Sequence, residues 1–588
     1  MMNINLDKQS VDLSIERDKY PMQLGTGNPF MISQGFDLMA KDKPSTDFAV
    51  QEDKSNKIDE GVLRLLDKQV TLALNRTTRI PNNVQSLSNL GVSHLNRRNY
   101  DTAILIFLEA LKINRTFMPA LANLAKAYLF KGNVDESLNI YNELEKIYPC
   151  NTKILNNMAC IFVMKRDLKK AEAYLLRIIQ IDENNEDAYN NLGLIQLMVQ
   201  QTDKAIKSFR KAITINNNFA NAYNNIGICY ILRKDYRKAI KYLLASWSFN
   251  KLDVDTLINL AIAYQGRGHH EEVAKFLSEY LYSGHMDYRI SELLAQSYFE
   301  LKRYKKALDL LSSMLRNEAL TEVKRGRALN NIGVTYQRLN DNKAAEKYYN
   351  MCLEMKDGKS ALYFNNLVKL YLSERQYESA KDIIDKGMIE FPDDANLMGS
   401  LGMLYFEIGN YKKSSEILYN VMEIKPDLID SYTGLSVIEM EINNDFEKAH
   451  EILMRGISFN KENVLLLNNL AYNYLLREDT VSARRILDKV RADDSLYINA
   501  TRGLLLIKEG NIEEGRRLYR QAELLANKDE SIKNLVTQKM NLELARHFYK
   551  EGNMPETAAY LRKILKVNAR YNYYREQASK LISDIGCV

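Results

Sequence analysis

Proline is scarce in this chain, nine in 588 residues, and tryptophan occurs once. With so few prolines nearly every backbone N–H can donate, which suits helices and excludes a collagen-like or proline-rich extended protein. Cysteine is also rare. The five residues, Cys150, Cys160, Cys229, Cys352 and Cys587, form no Cys-x-x-Cys pair, and the odd number argues against a disulfide framework. No 18 apolar residues follow one another, so no segment reads as a membrane-crossing helix. Residues 1–30 are interrupted by Asp7, Lys8, Asp12, Glu16, Arg17 and Asp18, which is unlike a secretory leader. The expected location is cytoplasmic. An excess of one charge is missing too: 81 Lys and Arg against 75 Asp and Glu leave +6, so no global steering toward nucleic acid follows.

The signatures of catalysis are absent as well. The sequence contains no glycine-rich phosphate loop, nucleophile elbow or His-Glu-x-x-His. Its six histidines include the neighbours His269 and His270, but adjacent turn residues point apart, and a metal site needs converging ligands. No catalytic residue, metal or cofactor is expected, and the chain is not read as an enzyme.

What the sequence does have is a period. "EDAYNNLGLIQLMVQQTDKAIKSFRKAITINNNF" spans residues 186–219, and "ANAYNNIGICYILRKDYRKAIKYLLASWSFNKLD" follows directly, with Tyr, Asn-Asn, Gly and Lys-Ala-Ile in the same places. Gly91, Ala125, Ala159, Gly193, Gly227 and Ala261 stand 34 residues apart, each preceded at four residues by Leu87, Leu121, Leu155, Tyr189, Tyr223 or Leu257. A second small residue follows at twelve: Ala103, Ser137, Ala171, Ala205 and Ala239. The pattern resumes with uneven spacing around Ala295, Gly333, Val368, Gly402, Ser436, Ala471, Gly503 and Ala545.

This pattern resembles the tetratricopeptide repeat, a helix–turn–helix unit of 34 residues. The resemblance implies an all-α fold, a right-handed α-solenoid of stacked helical pairs, because one pair cannot bury its apolar face alone. It covers residues 84–571 as about fourteen units. Residues 57–83 are expected to cap the first unit and 572–588 the last. Turns such as Lys131-Gly132-Asn133 and Ile408-Gly409-Asn410 place glycine where φ must turn positive. Residues 1–56 carry no repeat and read as a flexible arm. Within the arm, 28–40 concentrates Phe30, Met31, Ile32, Phe36 and Leu38, either as a linear motif or as a stretch that packs on the first repeats.

Counting each repeat from its first residue, the small residue is position 8. Position 6 holds Asn89, Asn123, Asn157, Asn191, Asn225 and Asn259 in succession. The resemblance implies that position 6 faces the concave groove, where a column of amides can pair with the peptide groups of an extended chain. The alternative is that these amides only bridge adjacent repeats. Positions 9, 12 and 13 are expected on the same face, where Met164, Leu194, Met198, Ile228 and Leu232 make it apolar. Packing against the neighbouring repeat is the other reading of those five. Position 9, with Val92, Lys126, Cys160, Leu194 and Ile228, lacks the lysine and asparagine set that some family members use to clamp an acidic C-terminus.

The leading expectation is a protein–protein interaction scaffold or assembly chaperone, holding an extended or helical, partly apolar partner segment in the groove. One alternative is a regulator whose N-terminal arm occupies that groove. Another is an adaptor that binds nucleic acid or an acidic protein through the basic C-terminal stretch with Arg562, Lys563, Lys566, Arg570, Arg575 and Lys580. Nucleic acid is the less expected partner.

Overall fold

The computed structural model describes residues 83–251, 253–284, 287–316, 320–490, 495–526, 530–566 and 573–585. The arm, including the 28–40 motif, and all of the proposed capping segment but Asn83 lie outside them. Among the described residues there are helices and no strands. None of these helices is long and apolar enough to cross a membrane. The chain is an all-α solenoid, divided into two compact units between Thr335 and Tyr336.

In the first unit helices alternate in pairs, a leading and a trailing helix. The leading helices begin at Val84, Met118, Thr152, Glu186, Ala220, Val254 and Tyr288, the residues numbered 1 in the repeat. Position 8 is small because the residue at position 24 lies against it. A Cβ added to Gly193 would meet the Phe209 ring at 2.6 Å, and one on Gly227 would meet Leu243 at 2.5 Å. The column at position 24, Phe107, Tyr141, Leu175, Phe209, Leu243, Leu277 and Leu311, is buried throughout and forms the spine of the unit. Small residues at position 20, such as Ala103, Ala171, Ala205 and Ala239, are fully buried beside it, where the two helices cross.

The turn between paired helices needs one left-handed residue, and glycine supplies it in only some repeats. Gly132 takes φ +94° and Gly268 +74°. At the same position Arg98, Arg166, Gln200, Lys234 and Lys302 adopt φ between 58° and 63°. A non-glycine residue pays roughly 1–2 kcal/mol for that conformation. The packing of both helices onto their neighbours offsets it.

The second unit repeats the arrangement, with Gly402 against Leu418 and Gly503 against Tyr519. One leading helix departs from it. Ile429–Ile438 runs on as a π-helical turn, Glu439–Asn443, which moves the left-handed residue to Asn444. The inserted turn directs the Glu439 carboxylate to three partners. It accepts from Tyr419 Oη at 3.0 Å and Asn443 Nδ2 at 2.7 Å, and Lys448 Nζ lies 2.8 Å away.

Candidate functional site

The leading helices of successive repeats touch. Glu186–Met198 packs on Ala220–Leu232, that on Val254–Gly266, and that on Tyr288–Glu300. Successive trailing helices make no comparable contact among the described residues. A stack drawn together on one side bends toward it, so the leading helices line the inner face. Positions 5, 6, 9 and 13 of each leading helix are therefore the place to look for a site.

The asparagine doublet occupies positions 5 and 6, and its two members have different jobs. Asn191 Nδ2 donates to Asn156 Oδ1 at 3.0 Å, Asn225 Nδ2 to Asn190 Oδ1 at 2.9 Å, and Asn259 Nδ2 to Asn224 Oδ1 at 3.0 Å. Each bond joins position 6 of one repeat to position 5 of the repeat before. Where position 5 offers no side-chain acceptor the bond is rerouted. Repeat 2 has Ala122 there, and Asn157 Nδ2 donates instead to Tyr141 Oη at 3.0 Å. In the second unit Ser400 takes the donor's place and bonds Asn365 Oδ1 at 2.5 Å.

These bonds change the expectation of an open amide column. Asn191, Asn225 and Asn259 are buried, with exposures of 4, 0 and 0 %, and each gives one N–H to the neighbouring repeat. Asn123 and Asn157 are half-buried. Leu194 and Ile228 are also buried rather than open. They belong to one apolar cluster with Cys160 and Leu197, since position 9 packs between consecutive leading helices. Met164 and Leu232, at position 13, are 41 and 49 % exposed, and Met198 is half-buried. Of the apolar residues read from the sequence, these three remain accessible, at the end of each leading helix.

The inner face of the second unit has a different chemistry. Lys539 is 5 % exposed, and its Nζ lies 3.5 Å from the centre of the Tyr472 ring, with no hydrogen-bond acceptor among the described residues. Burial pushes its pKa down to about 8, with Glu441 and Glu543 pulling the other way. Glu543 also pairs with Arg546 at 2.8 Å and with Lys508 at 3.8 Å. Nothing in the local sequence marks Lys539, because its neighbours come from helices far apart in the chain. Of the C-terminal basic residues, Arg562, Lys563, Lys566, Arg575 and Lys580 are exposed, and Arg570 lies outside the described residues.

Family models described as tetratricopeptide repeat match residues 84–116, 119–149, 186–219, 220–246, 288–358 and 395–428. This chain is a tetratricopeptide-repeat protein. Among known proteins it resembles the auxiliary subunit NAA15 of the N-terminal acetyltransferase A complex of Arabidopsis thaliana, 26% identical over 242 residues. That match covers 39% of this chain and 26% of the relative. It also resembles the tetratricopeptide repeat-containing protein trd-1 of Caenorhabditis elegans, 23% identical over 203 residues, 32% of this chain and 26% of that one. The matched part of this chain thus spans about a quarter of each relative's length. A solved tetratricopeptide repeat protein of Parabacteroides merdae aligns at 18% identity with a TM-score of 0.34, covering 43% of this chain and 98% of that one.

Two predictions follow the tetratricopeptide geometry. Asn225→Ala leaves Asn190 Oδ1 buried without its donor and should cost about 1–3 kcal/mol. Chemical denaturation of Asn225→Ala, Asn190→Ala and the double variant measures the coupling, and purely additive losses would show that the bridge contributes nothing. The second concerns pH. The folded pKa of Lys539 lies below its unfolded value of 10.5, so the folded state binds fewer protons between about 8 and 10.5. The penalty of the buried charge is full below about pH 8 and fades as pH rises to 10.5, a change on the order of 3 kcal/mol. Lys539→Met should flatten this dependence, and an unchanged profile of stability against pH would contradict it.

Proposed function

We propose that this protein is an assembly scaffold that holds an extended, partly apolar segment of a partner protein along the inner face of its first unit. Tetratricopeptide repeats and the relatives support a protein-interaction scaffold in general, and one relative is by name the auxiliary subunit of a complex. The observation that carries the finer reading is the row of accessible apolar side chains, Met164, Met198 and Leu232, at matching positions of three consecutive leading helices. Methionine adapts its shape to varied apolar partners. The half-buried amides of Asn123 and Asn157 lie on the same face. Asn191, Asn225 and Asn259 each have further donor and acceptor capacity beyond the single bridging N–H, because an amide carries two N–H donors and two acceptor lone pairs.

A second reading gives this face to the chain's own arm. The apolar cluster of Phe30, Met31, Ile32, Phe36 and Leu38 favours it, because a tethered motif competes at high local concentration even when its intrinsic affinity is weak. In that case the arm holds the groove until a partner displaces it.

One set of variants addresses both readings. Met164→Asp, Met198→Asp and Leu232→Asp together should abolish capture of specific partners from the native cell, as read by mass spectrometry. Melting should barely change, because exposed substitutions of this kind cost less than about 0.5 kcal/mol each. Retained capture would refute the groove. Deleting residues 1–56 should tighten partner binding if the arm competes for that face, and unchanged affinity would remove the second reading.

A further inference from the structure

The bridging pattern leaves one amide group of each doublet in a distinct position. In every bridge the position-5 residue contributes its Oδ1 and the position-6 residue contributes Nδ2. The Nδ2 of position 5 takes no part in the bridge. At Asn190, which is fully buried, this Nδ2 has no hydrogen-bond partner among the described residues. A buried donor without an acceptor is costly, so a repeated arrangement that produces one invites an acceptor from outside the fold. Asn156 holds the same place one repeat earlier, with its Oδ1 engaged by Asn191 and its side chain half-buried. The column is therefore accessible at Asn156, four residues before the apolar cluster member Cys160 and eight before the exposed Met164.

We infer that the first asparagine of each doublet, rather than the second, reads the ligand: Asn156 and Asn190 donate through Nδ2 to main-chain carbonyls of an extended peptide in the polyproline-II conformation. The inference rests on the groove reading above and specifies its chemistry. Packed helices lie about 8–10 Å apart. A polyproline-II chain rises about 3.1 Å per residue with three residues per turn, so it presents a carbonyl on the same side about every 9 Å. One carbonyl then meets each repeat without any change in the chain's twist. A β-strand alternates its carbonyls and does not keep this register. Because the protein supplies donors, the ligand needs only acceptors at these points.

That last property gives a decisive probe. A proline 12-mer has carbonyl oxygens but no backbone N–H within its length, and it is already in the polyproline-II conformation. Titrated against the full chain by calorimetry or fluorescence, it should bind. Asn156→Asp keeps an oxygen to accept from Asn191 but has lost the donor, so it should weaken binding about three- to tenfold with the melting temperature nearly unchanged. Asn190→Asp should weaken binding at least as much. If Asn190→Asp fails to fold, the half-buried Asn156 variant decides alone. Asn191→Ala, which breaks the bridge and keeps the position-5 donors, should lower stability more than affinity. If the proline 12-mer does not bind, or binds the Asp variants as tightly as the original chain, the inference is overturned. Partner capture that is lost with the Met164, Met198 and Leu232 variants would leave the groove standing in either case. If capture survives those variants, the groove reading fails, and only the proline-probe results bear on Asn156 and Asn190.

Discussion

A hydrogen bond between two amides, one on each of two successive leading helices, sets the register on which the first unit depends. Apolar contacts such as Leu243 against Gly227 supply most of the burial, but they are not directional and tolerate small slips. An amide buried beside them does not. Asn225 bonds Asn190 at 2.9 Å, and a displacement of one helical residue would leave both groups buried and unpaired. The bond therefore converts a stack that is adequate at several offsets into one with a single offset. It also accounts for two poor helix formers in mid-helix. Each asparagine costs up to about 0.7 kcal/mol of helix propensity, and the buried hydrogen bond returns a comparable or larger amount.

The fold was legible because its cause is periodic. Small residues at position 8 and large ones at position 24 meet within a single repeat, so a 34-residue ruler finds both. The turn was only partly legible. Glycine at Gly132 announces a left-handed residue, whereas Arg166 and Lys234 adopt the same conformation with nothing in their chemistry to signal it. There the stacked helices dictate the backbone, and propensity yields.

The inner face was legible in composition and not in exposure. Reading Leu194 and Met198 as one apolar surface was reasonable from sequence, since both lie on the inward side of one helix. Their separation comes from the distance between consecutive leading helices, which closes over position 9 and leaves position 13 at the rim. No periodicity encodes that distance. The doublet was visible as a repeated Asn-Asn, but the division of labour between its members depends on a partner 35 residues away. Asn157 shows the rule by exception, because the alanine at position 122 sends its N–H to Tyr141.

The two units apply the same scaffold to different inner surfaces. In the first, neutral amides and sulfur- or leucine-bearing ends leave few formal charges beside the apolar rim. In the second, Lys539 sits on the Tyr472 ring between Glu441 and Glu543, and its lowered pKa shows that this company does not fully replace water. A buried ammonium of this kind adds less stability than an apolar residue of the same size would. Its cation–π contact is directional, however, and it joins a helix beginning at Val464 to one beginning at Glu530, passing over the pair between them. Nearest-neighbour packing alone cannot set the spacing of non-adjacent repeats. A charged tie across that interval can, so the second unit holds a local curvature that its apolar spine leaves undetermined.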